Sequence, residues 1–334
     1  MRYRGAMDIV LTHQTALAFW RSPHAVAAER LRRQGSAASV PTALARFDIG
    51  AVQRLVSVSG DVHVMVRNSG GMHRRAGVRV HASGCDLPPS ALCFVDVENL
   101  GRIGVVSPEV CVGQMGRSMP IEDVLLLAFE FCGWYRRAVP VFDAGTGSFC
   151  RYATDFDCAP VTSVDRLRHF SEVLPASVFS APSRRAIRYA LDGSGSPVES
   201  MLAALLTLPG VRGGYGLPAP VLNPPVSIPG RSAVLDPGGR YYCDLCWPDK
   251  KVAIEYDSNQ EHTGAERITH DAIRYNNLKT LGYEVLIATW GQLRSVRETD
   301  RLAASVASAL GVRLRIRVRD YRAKQLALRR ALGF

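Results

Sequence analysis

The chain has no apolar run approaching the roughly 18–20 residues that a membrane-spanning helix needs. Its most apolar stretch, around Val124–Phe129, is far shorter. The opening residues, MRYRGAMDIVLTHQ, hold no apolar core followed by a small-residue cleavage site, so a secretory leader is not expected and a cytoplasmic location is. A second cysteine pair is also missing. Of eight cysteines, Cys243 and Cys246 form the one CxxC, and His262 lies at no standard spacing from them. Residues three apart on a strand point to opposite faces, so this pair does not read as a zinc site. Most of the other cysteines lie in apolar runs, where a reduced thiol behaves as a small hydrophobe. No nucleophile–base pair stands out in the first half. His13, His63, His73, His81 and His169 are scattered there, each reading as a surface or core-edge histidine. Acidic residues are outnumbered, 30 Asp and Glu against 41 Lys and Arg, for a net charge of +11. A basic chain is biased toward polyanions.

What is present is the composition of a folded protein: 334 residues, 47% hydrophobic and 21% charged, room for two domains. A Gly- and Ser-rich stretch, LDGSGSPVES, marks a boundary. The expected division is a mixed α/β domain over 1–190, a linker over 191–197 and a second domain over 198–334. In the first domain, Val62–Val66 and Val78–His81 read as strands, with a hairpin as one way to join them. Ser107 and Pro108 read as a helix start, and Ile121–Tyr135 as a buried helix. Thr162–Leu174 and Pro182–Leu191 read as further helices. His73-Arg74-Arg75 sits in a turn and reads as a solvated loop. The second domain reads as helix 197–207, a strand near 219–228, strands 240–246 and 251–257, helix 263–281, strand 283–288, helix 292–310, strand 312–318 and a basic helix over Tyr321–Leu332. This is a small mixed sheet flanked by helices.

The hairpin RYYCDLCWPDKKVAIEYD carries the chemistry. Glu255 and Asp257 are two apart and share one strand face with Ala253. A short turn sets Asp244 opposite or diagonal to Glu255. At cross-strand distances of about 5 Å two carboxylates do not both ionise comfortably without a cation. Mg²⁺ is the natural candidate, held by one or two carboxylates plus water and substrate phosphate. The alternative is that these acids pair with Lys250, Lys251 or Arg274 on a solvated face. Farther on, Arg313, Arg315, Arg317 and Arg319 alternate with Val312, Leu314, Ile316 and Val318. As a strand this places four guanidinium groups on one face. A phosphate backbone would neutralise them, and protection of a solvated edge strand is the alternative.

These residues resemble a known family. SPVES at 196–200, the Asp244-Leu245 step, WPDKKVAIEYD at 247–257, His262, then Asp271, Arg274 and Leu278, and LGYEVLIATWGQL at 281–293 are similar to the very-short-patch-repair endonuclease-like domain of the PD-(D/E)XK superfamily. The resemblance implies an α/β restriction-endonuclease-like fold with Asp244 and Glu255 as ligands of Mg²⁺ or Mn²⁺ and Glu199 as a helix-borne acid beside them. Asp257 stands where the superfamily usually has Lys, and Ser258 where this family often has Gly. His262 is then a candidate general base. Glu199 also fits a capping box with Ser196, reaching back to the Ser196 amide. Arg274 is either a partner for Asp271 or a reach toward a phosphate or the acids. Less firmly, LTHQTALAFWR at 11–21, RRAGVRVHAS at 74–83 and VSPEVCVGQM at 106–115 resemble the body of AbiEi-type antitoxin and regulator proteins, whose winged helix is not seen here. The expected function is metal-dependent hydrolysis of DNA phosphodiesters. A non-catalytic nucleic-acid-binding or antitoxin-like protein on a nuclease-like scaffold is the alternative. DNA is the expected partner, with a partner toxin or self-association implied by the antitoxin resemblance, and no membrane.

Overall fold

A computed structural model describes residues 9–334 apart from 23–24, 26–32, 36–38, 73–74, 98–99, 138–141, 144–147, 150–153, 228–239, 258–274 and 277. The chain is mixed α/β and divides into two compact units, Met1–Arg188 and Tyr189–Phe334. No described helix is long and apolar enough to cross a membrane.

In the first unit, β1 (Val10–Leu11) leads into α1 (His13–Arg21), followed by β2 (Arg33–Gly35), α2 (Ile49–Val56), β3 (Val62–Val66), β4 (Val78–Ala82), β5 (Leu92–Val97) and β6 (Gly101–Val106). These strands form one six-stranded sheet in the order β2-β5-β6-β1-β3-β4. Strand β1 is central, parallel to β6 and antiparallel to β3. Next come α3 (Pro108–Met115) and α4 (Ile121–Phe131). Helix α3 starts where the sequence says: the Ser107 hydroxyl accepts from the Val110 amide, and Pro108 occupies the first turn. Every residue of α3 is buried, as are Val124–Phe131 of α4. Trp20 on α1 is buried and donates its indole N–H to the Val106 carbonyl at 2.9 Å. Strands β7 (Tyr135–Arg137), β8 (Phe142–Asp143), β9 (Ser148–Phe149) and β10 (Thr154–Phe156) form two short ribbons, β7–β10 and β8–β9. Helices α5 (Val164–Val173) and α6 (Ala181–Ala186) complete the unit.

Two expectations here are corrected. Strands β3 and β4 pair parallel, Val62 opposite Val78, so their link is a crossover and not a hairpin. Within it Ser69–Gly71 forms a 3₁₀ turn packed on the preceding loop, where Arg67 N–H bonds the Pro41 carbonyl at 2.8 Å. The helix expected over Ile121–Tyr135 ends at Phe131, and Tyr135 belongs to β7. Of the expected 73–75 turn, Arg75 donates to the Phe47 carbonyl at 3.0 Å and lies over its ring, while His73 and Arg74 lie outside the described residues.

The second unit opens with α7 (Pro197–Thr207), then β11 (Val221–Leu222), β12 (Pro225–Ser227), β13 (Arg240–Tyr242), β14 (Leu245–Trp247), β15 (Val252–Asp257) and β16 (Glu284–Thr289). The main sheet runs β11-β14-β15-β16, antiparallel except for the parallel β15–β16 pair, and β12–β13 is a separate ribbon. Helices α8 (Trp290–Arg294), α9 (Val296–Ala309) and α10 (Tyr321–Leu332) follow. The single helix expected over 292–310 is two, because Ser295 ends α8 and caps α9 through its hydroxyl. The expected helix 263–281 falls largely outside the described residues.

Residues 312–318 are not a strand: they run without a ladder partner among the described residues. The alternation itself holds. Arg313, Arg315, Arg317 and Arg319 are exposed, while Val312, Leu314, Ile316 and Val318 are half-buried. Val318 seats on Gly210, where an added Cβ would lie 3.2 Å from its Cγ2. The segment packs through alternate side chains and not through a backbone ladder among the described residues. Helix α10 is tied down through Gln325, whose amide donates to the Tyr215 hydroxyl at 2.8 Å and to Asp300 at 3.0 Å. Gly213 (φ 89) lets the chain pass α10: a Cβ there would meet the Lys324 carbonyl at 2.3 Å.

Candidate functional site

The hairpin that carries the acids supplies the two middle strands of the main sheet, and its first arm is broken before β14. Leu245, Cys246 and Trp247 pair with Ile254, Ala253 and Val252. One more step of that register sets Asp244 across from Glu255. On the other side, Leu222 pairs with Leu245, and the Asn223 amide donates to the Asp244 carbonyl at 3.2 Å. The strand expected over 240–246 is interrupted at Cys243-Asp244, facing Asn223-Pro224. Pro224 has no amide proton to continue the ladder, which accounts for a break at this point. The interruption turns the Asp244 side chain along the backbone, where Oδ2 accepts from the Tyr256 amide at 2.6 Å.

Strand β15 grades from core to solvent along one face. Ala253 is fully buried against Cys243, Cys246, Tyr283 and Val285, Glu255 is half-buried, and Asp257 is exposed. Glu255 therefore sits where the apolar core gives way to water, with its Oε1 still on the buried side.

Glu199 comes from the first turn of α7. Its amide donates to the Ser196 hydroxyl at 3.2 Å, the forward half of the capping box. The reverse half differs from expectation: the carboxylate takes the Gly195 amide at 2.8 Å, one residue earlier than the Ser196 amide. Asn223, which sequence reasoning did not single out, donates to the same oxygen at 2.6 Å and to the Gly193 carbonyl at 3.0 Å. Gly195 lies against this carboxylate, so a Cβ there would sit 3.2 Å from Oε1. Burial first, and the charge of Asp244 second, lift the Glu199 carboxyl to about 7, against the lowering effect of its hydrogen bonds.

Cys243 and Cys246 depart from expectation. The strand break brings them into hydrogen-bond contact with each other instead of onto opposite faces. That bond, burial, and the negative charges of Glu255 and Asp244 push the Cys243 thiol well above its usual range. Cys243 thus senses both acids. The fold brings Glu199, Asn223 and Asp244 together at the break in the hairpin, with Glu255 across from Asp244 and Asp257 farther along β15. His262, Asp271 and Arg274 lie outside the described residues. The oxygen-rich donor set suits a hard divalent cation such as Mg²⁺ or Mn²⁺.

A second constellation lies in the first unit and corrects the reading of its histidines as scattered. His13, His63 and His81 offer one ring nitrogen each, all within 4.8 Å of one another. Their separation along the chain, and the parallel β3–β4 pairing that joins them, hid the group from sequence reasoning.

No protein-family model matches the chain. No solved structure matches it. It is similar to two proteins of Mycobacterium tuberculosis, one from strain CDC 1551 / Oshkosh and one from strain H37Rv, each named only as an uncharacterized protein. With each it is 33% identical over 96 residues, which is 29% of this chain and 32% of the relative. The match therefore spans about a third of the length of the curated relatives.

Proposed function

We propose that the second unit is a restriction-endonuclease-like module that hydrolyses DNA phosphodiester bonds with a divalent metal. The observation that carries the reading is Glu199, a buried carboxyl held beside Asp244 and lifted to about 7 by burial and that neighbouring charge. Acids brought together around the break before β14, where the charge of Asp244 raises the Glu199 carboxyl, are an arrangement that a cation relieves. Asp244 and Glu255 are the residues that would hold Mg²⁺ or Mn²⁺. When bound, such an ion supplies polarisation of the phosphodiester and a more acidic attacking water.

The remaining work falls to the chain's own residues. Asn223 and the Gly195 amide orient the Glu199 carboxylate. With a carboxyl poised near neutrality, Glu199 can accept or return a proton at physiological pH. Asp244 is held in place by the Tyr256 amide. The exposed arginines at 313, 315, 317 and 319 can follow a phosphate backbone and contribute salt-sensitive affinity.

Incubation of purified protein with supercoiled plasmid and Mg²⁺ or Mn²⁺ tests this. The expected result is nicking that falls about 10²–10⁴-fold in Asp244→Asn and in Glu255→Gln, the range for removing one group of an acid–base or electrostatic apparatus. Nicking that survives both substitutions rejects the site. A second reading, a binding protein on a nuclease-like scaffold, is favoured by Asp257, an exposed carboxylate at the position where the resembled superfamily usually has Lys. DNA binding without cleavage in any divalent metal would select it.

A further inference from the structure

We propose that His13, His63 and His81 form a binding site in the first unit for a transition-metal ion of the Zn²⁺ class. The sheet builds it from residues far apart in sequence. His63 lies on β3 and pairs with Arg79, while His81 on β4 pairs with Met65. His63 and His81 are therefore diagonal neighbours on one face. His13 arrives from the other side of β3, directly after β1, and the Thr12 amide bonds the His63 carbonyl at 3.1 Å to fix that approach. It sits in the left-handed region (φ 49), a conformation a histidine adopts at some cost in backbone energy.

The spacing suits a small cation. His63 Nδ1 and His81 Nε2 are 3.1 Å apart, and all three ligand nitrogens lie within 4.8 Å. Tetrahedral Zn²⁺ with bonds of about 2.0–2.1 Å separates its ligand nitrogens by roughly 3.3 Å. The His13 and His81 rings are stacked, with centroids 3.9 Å apart, so binding requires them to splay. Torsions about χ2 of histidine are broad and soft enough for this.

A buried pair behind His13 sets its tautomer. The Thr12 hydroxyl donates its proton to Gln114 Oε1 at 2.9 Å, and the His13 amide donates to the same oxygen at 3.2 Å. Thr12 Oγ1 is then the acceptor for His13 Nδ1–H at 3.1 Å, which leaves Nε2 with its lone pair for a ligand. Thr12 and Gln114 are 0% and 4% exposed. Metal-binding histidines generally have their second nitrogen held in this manner. Burial first, then the neighbouring histidines, hold His13 at about 3 and His81 at about 4; burial and Arg79 lower His63. Three imidazoles without a carboxylate favour Zn²⁺, Co²⁺, Ni²⁺ or Cu²⁺ over Mg²⁺ and Ca²⁺. All three side chains are half-buried, so a fourth position can open toward solvent. This ligand set differs in kind from the carboxylates of the second unit.

Titration of the metal-stripped full chain with Co²⁺, followed by displacement with Zn²⁺, tests the proposal. The expected result is one equivalent with visible d–d absorption that survives Asp244→Asn/Glu255→Gln and Cys243→Ser/Cys246→Ser. Affinity should fall by about 100-fold or more in His63→Gln and His81→Gln, and by about 10-fold in Thr12→Val, a positioning residue. Circular dichroism checks that the variants fold. In the unsubstituted chain, imidazole ¹⁵N spectra should show three of the eight histidines changing with one equivalent of Zn²⁺. Absence of saturable binding, binding unchanged in both histidine variants, binding lost in the carboxylate or thiol variants, or an unchanged ¹⁵N spectrum would overturn it.

Discussion

In the first unit buried carboxylates meet cations; in the second a buried carboxylate meets another carboxylate. Glu130 is fully buried and receives Arg21 through two bonds of 2.9 and 2.7 Å, with the Arg137 amide adding a third at 3.1 Å. Glu109, also fully buried, accepts from Arg166 and Thr162. Glu199 instead has two neutral donors and the charge of Asp244. The first arrangement is self-sufficient; the second is strained electrostatically until a proton or a cation joins it. The units also differ in how they answer to pH. The histidine group resists taking protons, and Glu199 resists losing one.

The two arrangements should respond differently to substitution, most strongly in activity. Asp244→Asn should abolish most plasmid nicking, about 10²–10⁴-fold, while hydrogen exchange in the second unit stays as slow as before or slower. Faster exchange there would mean that the acid is structural, as in the first unit. Glu130→Ala should do the opposite, destabilising the first unit by about 3–5 kcal/mol because Arg21 is left buried without its partner. Denaturant unfolding checks this, and a loss below about 1 kcal/mol would make the pair no stronger than a surface one.

Glu199→Gln comes next. The folded carboxyl near 7 lies above its unfolded value of 4.5, so its contribution to stability is full below 4.5 and is lost as pH rises through 7. The amide mimics the protonated form. It should therefore stabilise the second unit by on the order of 1–3 kcal/mol at pH 8 and by nothing at pH 4. An equal effect at both pH values would separate it from titration. In metal-free protein the histidines act with the other sign. Their folded values lie below the ordinary 6.5, so the unfolded chain binds more protons as pH falls from about 6.5 toward 3 to 4. Stability of the first unit should fall across that window, and His81→Gln should flatten the slope. The smallest effect is Arg315→Gln, which should reduce the slope of log affinity for DNA against log salt by about 0.9. No change in slope would place that arginine away from phosphate.

Local rules made much of this legible. Ser107-Pro108 and Ser196 start helices because a hydroxyl and the next few amides decide the matter among themselves. The run Tyr321–Leu332 is a helix as its composition indicates. The Asp244–Glu255 register follows from turn length. What stayed hidden depends on partners distant in sequence. Parallel pairing of β3 and β4 leaves no mark in either strand. Asn223 looks like an ordinary turn residue until its amide is found on Glu199. Arginine alternation at 313–319 predicts exposure correctly and a strand wrongly, because period two records only that side chains face two ways. The histidines needed three strands and a helix start to become neighbours.

The central place of β1 has a consequence in the order of synthesis. Val10 and Leu11 join β3 on one side to β6 on the other, so this short strand links the two halves of the six-stranded sheet. It is made before the other strands of this sheet, yet its β6 partners, Gly104 and Val105, follow only after the rest of that sheet has been made. One side of this strand thus waits for its partner until the rest of the sheet has been synthesised. Thr12 and His13 follow directly behind it, and Gln114, which holds both, is likewise made long after them.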